Sequence, residues 1–372
     1  MTAKVIYIVI NLLFVLKYSL RLGYVAASVA CGCYLLFAGL LLYCLPRLPQ
    51  IKLRWTVVGT GIMLTLLTLG QCMIDPYTLQ VDRWSAIHNF IANLLAGEYP
   101  YAAMTHLGGY GSPFPVWQVF HIPFYLFGNV GLSFLAVSIF FFWTVYRLFG
   151  SKIFLNTVLL LLLSPAYGYE VMVRSDLMTN FLLVLTIINL IEIKGGATKM
   201  MERNPWLVAI IGGLTMSSRL SAVIPLIIYF WQAYMKAGWQ RQVSIPLMSL
   251  VIFTLTFLPF LLWNGEMLLF FQYSPFVLQS RQGHLSDFLL FIPATVVLAS
   301  TWRNYDFFLK HAAYTLLLLV VVTFMHNMWL WDNWTALFEP VYDISYFNQA
   351  LPFLILSVGI GSKSLCQGSV IN

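Results

Sequence analysis

The sequence predicts an all-α polytopic membrane protein, and three observations predict it. Of 372 residues, 60% are hydrophobic and only 9% are charged. Mean hydropathy is +0.83, and long apolar runs recur along the whole chain. The charged residues fall between these runs as short punctuation. A chain that crosses lipid must satisfy its backbone polar groups internally, which leaves helices or a closed barrel. The alternating segments of about ten residues that build a barrel are not seen.

Taken in order, apolar segments lie at 5–20, 22–45, 55–74, 130–149, 153–173, 177–193, 207–217, 220–234, 243–263, 287–301, 311–329 and 346–361. They predict about eleven or twelve transmembrane helices. The first is the weakest, because Lys17 and Arg21 interrupt it. The chain reads as one integral membrane domain, 1–372. Its N-terminal spans occupy 1–74, an extracytoplasmic loop 75–129, and further helices and outer loops 130–372.

The net charge of +7 is dispersed over short loops. Lys/Arg enrichment in short loops is the positive-inside bias, not a nucleic-acid surface, so no nucleic-acid partner is expected. Arg47, Lys52, Arg54, Arg147, Lys152 and Lys194 all fit one cytoplasmic side, as do Lys199, Arg203, Lys236, Arg241, Arg303, Lys310 and Lys363. Two consequences follow. Residues 112–128 lie at the interface or re-enter, and 207–234 forms two short arms that turn at Ser217-Ser218-Arg219. At about 1.5 Å per residue neither arm crosses a hydrocarbon core of about 30 Å. The expected setting is a bacterial cytoplasmic (inner) membrane, with the functional face outward.

Other chemistries find little support. The five cysteines show no metal or disulfide spacing. The short cytoplasmic loops hold no glycine-rich phosphate loop and no soluble domain. Asp75, Asp82, Glu98 and a histidine are ligand types that suit a divalent metal. Without D-x-D or H-x-x-H spacing, however, no cofactor is expected to be required.

The polar stretch VDRWSAIHNFIANLLAGEYPY (81–101) is too polar to span and too regular for a slack loop. At about 100° per residue, Asp82, Ser85, Asn89 and Asn93 share one side of a helix, with His88 at its edge. Trp84, Ile87, Phe90, Ile91, Leu94 and Leu95 occupy the other. This pattern predicts an amphipathic helix on the membrane surface, with Asp82 as N-cap and Gly97 as terminator.

Asp82, then Gly97, then Tyr99-Pro100-Tyr101, resembles the first outer loop of the GT-C glycosyltransferases, closest to the mannosyltransferase-like branch that uses polyprenyl-phosphate sugars. GYGSPFPVWQVFHIPFYLFG (109–128), SPAYGYEVMVRSDLMTNFLL (164–183), GGLTMSSRL (212–220) and LPFLLWN (258–264) extend the likeness over most of 70–290. The patterns are loose. The resemblance implies an inverting transfer, in cell-envelope glycan synthesis, from a polyprenyl-phospho-sugar donor to a hydroxyl of a glycan, glycolipid or protein acceptor, alongside membrane lipid. In that family the loop aspartate is the general base, and Asp82 matches it. Asp75 is the second carboxylate considered, with a turn before Pro76 as its other reading.

A polyprenyl phosphate leaving group needs cationic partners. Arg83, Arg174, Arg219 and Arg281 are the expected outward arginines. Arg219 stands out because an arginine deep in a membrane is costly without an anionic partner, and Arg174 has an ion pair with Asp176 as its other reading. Substrate contacts are expected from His88, Asn89, Tyr99, Tyr101 and Asp176, and from Gln279, Gln282 and His284 in FVLQSRQGH (276–284). WLWDNWTALFEPVYDISY (329–346) reads either as an aromatic acceptor platform or as an interfacial belt. The rival readings are a lipid-linked saccharide transporter or flippase, which would show internal repeats, and a polysaccharide polymerase, which would place its large loop late.

Overall fold

The computed structural model describes residues 2–270, 272–281, 283–339 and 342–361. These form an all-α polytopic membrane protein. Three helices open it: α1 (Thr2–Ser19), α2 (Tyr24–Cys44) and α3 (Leu53–Met73). The loop region carries α4 (Arg83–Ala96), α5 (Pro115–Phe120) and α6 (Ile122–Leu126). The centre of the chain follows with α7 (Ser133–Leu162), α8 (Pro165–Met172), α9 (Leu177–Ile193), α10 (Gly196–Arg203), α11 (Pro205–Met216) and α12 (Val223–Lys236). The last helices are α13 (Trp239–Leu269), α14 (Pro275–Ser280), α15 (Leu285–Thr301), α16 (Tyr305–Leu330) and α17 (Leu351–Ile360).

Among the described residues, six helices are long and apolar enough to span, or seven if α8 and α9, bent by 113°, count as one. The remaining apolar segments form shorter helices, among them α11 and α17. Among the described residues fewer helices pass this test than there are apolar segments, because α11 and α17 are short and the 153–173 segment breaks between α7 and α8. α7 itself joins the 130–149 segment to the start of 153–173 across Gly150, whose φ of 77° and ψ of −175° lie outside any helix. A straight helix would hold residues 142 and 154 about 18 Å apart along its axis, yet the Phe142 and Phe154 ring centroids are 6.0 Å apart. The two arms thus double back, and Arg147 and Lys152 flank the turn as the charge pattern predicts.

Lys17 does not break α1. Its ammonium donates to the carbonyls of Glu339 (2.9 Å) and Tyr342 (2.6 Å), so the buried charge is solvated by backbone. A helix apolar on every side must be surrounded, and every residue of α17 is buried, packed among α1, α7, α9 and α16. The 207–234 region forms the two expected short helices, α11 and α12, turning at 217–222. Gly213 lets α11 approach α13 closely, since a Cβ there would stand 2.6 Å from the Ser249 carbonyl oxygen. Small residues serve such contacts where lipid removes the hydrophobic drive for helix association.

The loop region departs from its sequence reading at α4. The apolar face of α4 does not face outward to lipid. Trp84, Ile87, Phe90 and Ile91 are buried in a second core with Trp117 of α5 and Phe257 and Phe260 of α13. An apolar stripe is buried equally well by protein as by lipid, and the pattern alone does not distinguish them. The 112–128 segment forms two helices of six and five residues, too short to cross.

Candidate functional site

Asp82 occupies the N-cap position of α4, but its side chain makes no capping hydrogen bond. Thr105 Oγ1 instead donates to Asp82 Oδ2 at 3.0 Å. Thr105 is fixed by a tight turn: its amide donates to the Gly109 carbonyl (2.8 Å), and the Gly109 amide donates to Thr105 Oγ1 (3.0 Å). His106 locks the same turn to α4, with Nδ1 2.7 Å from Ser85 Oγ and Nε2 2.9 Å from the Leu79 carbonyl. That contact explains why Ser85, on the polar side of the helical wheel, is fully buried. Gly109 approaches so closely that a Cβ would lie 3.2 Å from Asp82 Oδ2. Asp82 is half-buried and forms no ion pair among the described residues.

Its neighbour Arg83 is spent differently. Nη2 donates to Asp343 Oδ2 at 2.7 Å, Nη1 lies 3.5 Å from Ser175 Oγ, and the guanidinium stands 5.2 Å from the Tyr346 ring centroid. Burial opposes ionisation of the Asp343 carboxyl, but the Arg83 guanidinium and the Ser345 amide outweigh it and hold the group below the usual carboxylate range. Arg83 therefore joins the start of α4 to the α8–α9 turn and to the loop before α17.

The second anchor is a buried trio. Asp176 Oδ2 accepts from Trp117 Nε1 (2.5 Å) and lies 3.5 Å from Arg219 Nη2. Asp176 is 2% exposed and Arg219 7%. The pair is loose, and both Asp176 Oδ1 and Arg219 Nε are buried without a hydrogen-bond partner. Arg219 lines a cavity of about 310 Å³, with Ser112, Gln279, Tyr342, Tyr346 and Gln349 among its other walls. Asp82 does not line this cavity; of its walls, Tyr346 has the Arg83 guanidinium 5.2 Å from its ring centroid.

The other expected residues divide by what holds them. Gln279 belongs with the cavity, where its amide donates to the Ser112 carbonyl (2.8 Å) and accepts from the Leu220 amide (3.1 Å). Arg281 is exposed between two cavity-lining residues, Ser280 and Gly283. Gln282 lies outside the described residues. His284 is turned toward α16, where Nε2 lies 3.0 Å from Asn327 Oδ1 and the ring is 4.2 Å from that of His326.

Arg174 does not pair with Asp176. From a left-handed backbone (φ 53°), its guanidinium donates to the carbonyls of Gln71 (3.3 Å) and Ile74 (3.1 Å) at the end of α3. Asp75 accepts from the Tyr77 amide (3.0 Å) and is exposed, the turn role its place before Pro76 suggests. Tyr99 and Tyr101 are buried in the second core rather than offered to the cavity; their hydroxyls lie 3.4 Å from the Phe260 carbonyl and 3.5 Å from the Pro113 carbonyl. Asn89 donates to the Met104 carbonyl (2.7 Å), and His88 packs between Trp84 and Tyr125. Among the described residues no three His, Cys, Asp or Glu side chains gather as a metal site.

Sequence reasoning did not single out Thr105, Trp117, Asp343 or Tyr346. Their signal was absent because each partner is far away in the chain, as Arg83 and Asp343 are. No family model, curated protein or solved structure matches the chain.

Proposed function

We propose that the chain is an inverting glycosyltransferase that moves a sugar from a polyprenyl-phosphate donor to an acceptor hydroxyl, on the membrane face where the 75–129 loop lies. The observation that carries this reading is Asp82. Its carboxylate stands at a helix start without capping it, free of any ion pair among the described residues and steadied by one hydroxyl. That is the state a general base requires, positioned but unspent. The acceptor hydroxyl proton passes to Asp82 as the acceptor oxygen bonds to the anomeric carbon. The bond from that carbon to the phosphate oxygen breaks, its electron pair leaves with the polyprenyl phosphate, and configuration inverts.

Arg219 supports the donor side. It is the cationic wall of the 310 Å³ cavity, and its Nε has no hydrogen-bond partner. Its grip on Asp176 is long enough to be shared with a phosphate oxygen, and arginine suits that planar recognition. Removing Arg219 alone would strand a buried carboxylate at a cost of about 3–5 kcal/mol, so the informative variant is Asp176→Asn with Arg219→Gln. With the purified full chain and polyprenyl-phospho-sugars, the wild type is expected to release polyprenyl phosphate and to be thermally stabilised by it. The double variant should keep its fold and lose both effects. Full stabilisation of the double variant by polyprenyl phosphate would remove Arg219 from the donor site.

A further inference from the structure

Between α3 and α7 runs an apolar groove of about 680 Å³, separate from the cavity at Arg219. It follows α3 from Leu53 to Leu69, about 24 Å at helical rise, and is walled opposite by Leu135, Ile139, Trp143 and Phe154 of α7. The threonines along it offer little polarity. Thr60 and Thr68 donate their hydroxyls to the carbonyls four residues back, at 2.7 and 2.8 Å. α3 is long and apolar enough to span, and both arms of α7 are apolar, so lipid is the medium that fills such a groove.

One end of the groove is strongly positive. Lys152 Nζ donates to the Leu48 carbonyl at 2.5 Å, which joins the α7 turn at Gly150 to the segment before α3. This brings Arg47, Lys52, Arg54, Arg147 and Lys152 to the end marked by Leu53, Tyr146 and Phe154. Segments 45–55 and 145–155 contain no Asp or Glu. Arg47, Lys52, Arg54 and Arg147 are exposed and make no ion pair among the described residues. Arg54 and Arg147 stack near Trp55 and Trp143, at 5.3 and 5.7 Å, which holds their charge beside the groove mouth. Asp82 lies beyond the opposite end of α3, so this groove is remote from the proposed transfer site in sequence and along the helix.

We propose that this groove binds an anionic phospholipid, its acyl chain between α3 and α7 and its phosphate headgroup on the basic cluster. Basic pockets between transmembrane helices bind acidic headgroups in this way. The claim is independent of glycosyl transfer and is read without an activity assay. The full-length chain in detergent is offered equal amounts of phosphatidylglycerol and phosphatidylcholine, and bound lipid is counted by native mass spectrometry. Phosphatidylglycerol should be retained preferentially. Arg54→Gln with Arg147→Gln should cut that preference by about fivefold per charge removed. Gly61→Leu tests the chain half, because a Cβ at Gly61 meets nothing within 4 Å and projects into open groove without disturbing packing. It should lower phosphatidylglycerol retention with the cluster intact and the unfolding temperature unchanged. Equal retention of the two lipids by the wild type, or unchanged retention in Gly61→Leu, would overturn the proposal.

Discussion

At the scale of single residues, the decisive distinction is between an aspartate that caps a helix and one that does not. The sequence made Asp82 legible as an N-cap, because Asp before an amphipathic run is what caps look like. Its release from that duty was not legible. It depends on Thr105, which is brought to the carboxylate by a turn closed through Gly109. The same blindness applies to Arg174, an outward arginine by sequence that is consumed by the Gln71 and Ile74 carbonyls at the end of α3. If Thr105 steadies a base, Thr105→Val should slow transfer by about tenfold or more, the scale of one hydrogen bond to a charged group. Thr105→Ser should restore most of the rate, and neither variant should shift the unfolding temperature by more than a few degrees. Equal rates for Val and wild type would show that the contact is incidental.

At the scale of elements, helical periodicity identified α4 and most of its buried face, though Leu95 is exposed and Ser85 buried, but not what buries it. It packs against α5, whose Trp117 shares the core, and against α13, whose Phe260 lies 5.7 Å from the Phe90 ring and 5.4 Å from the Tyr101 ring, its carbonyl facing the Tyr99 hydroxyl. The aromatic pair at 99 and 101 thus fastens the end of the α4 loop to a spanning helix. Emptying that contact with Phe260→Ala should destabilise the loop region by about 3 kcal/mol or more. Hydrogen exchange would show it as faster exchange confined to 83–101, with α17 unaffected. Uniformly faster exchange would mean that the second core is not a separate unit. The breaks in the spans were half legible. The turn at Gly150, flanked by Arg147 and Lys152, and the Ser217–Arg219 turn were visible as punctuation, whereas the 153–173 segment read as continuous across the break at Pro165.

At the scale of the whole molecule, charge patterning carried the most information. Segments read as outward do meet one another: Arg83 reaches Asp343 and the Ser175 turn, and Trp117 reaches Asp176 beside Arg219, while Lys17 bonds the Glu339 and Tyr342 carbonyls. These contacts place the segments together without stating which side of a membrane they face. The proposed orientation is checked by thiol labelling of intact cells, in a background where the native cysteines are replaced. Glu98→Cys should react with an impermeant maleimide from outside, and Arg203→Cys should react only after lysis. The reverse pattern would invert the topology and with it the proposed face of the reaction. The cavity at Arg219 was not legible at this scale, since its walls come from six separate stretches of chain.

The most direct measurement is transfer by Asp82→Asn, which preserves the shape of the side chain and its contact with Thr105 while removing the proton acceptor. With purified protein and a polyprenyl-phospho-sugar that the wild type consumes, the rate should fall by about 10²–10⁴-fold with thermal stability and donor binding unchanged. A correctly inserted Asp82→Asn protein that transfers sugar at the wild-type rate would contradict the account.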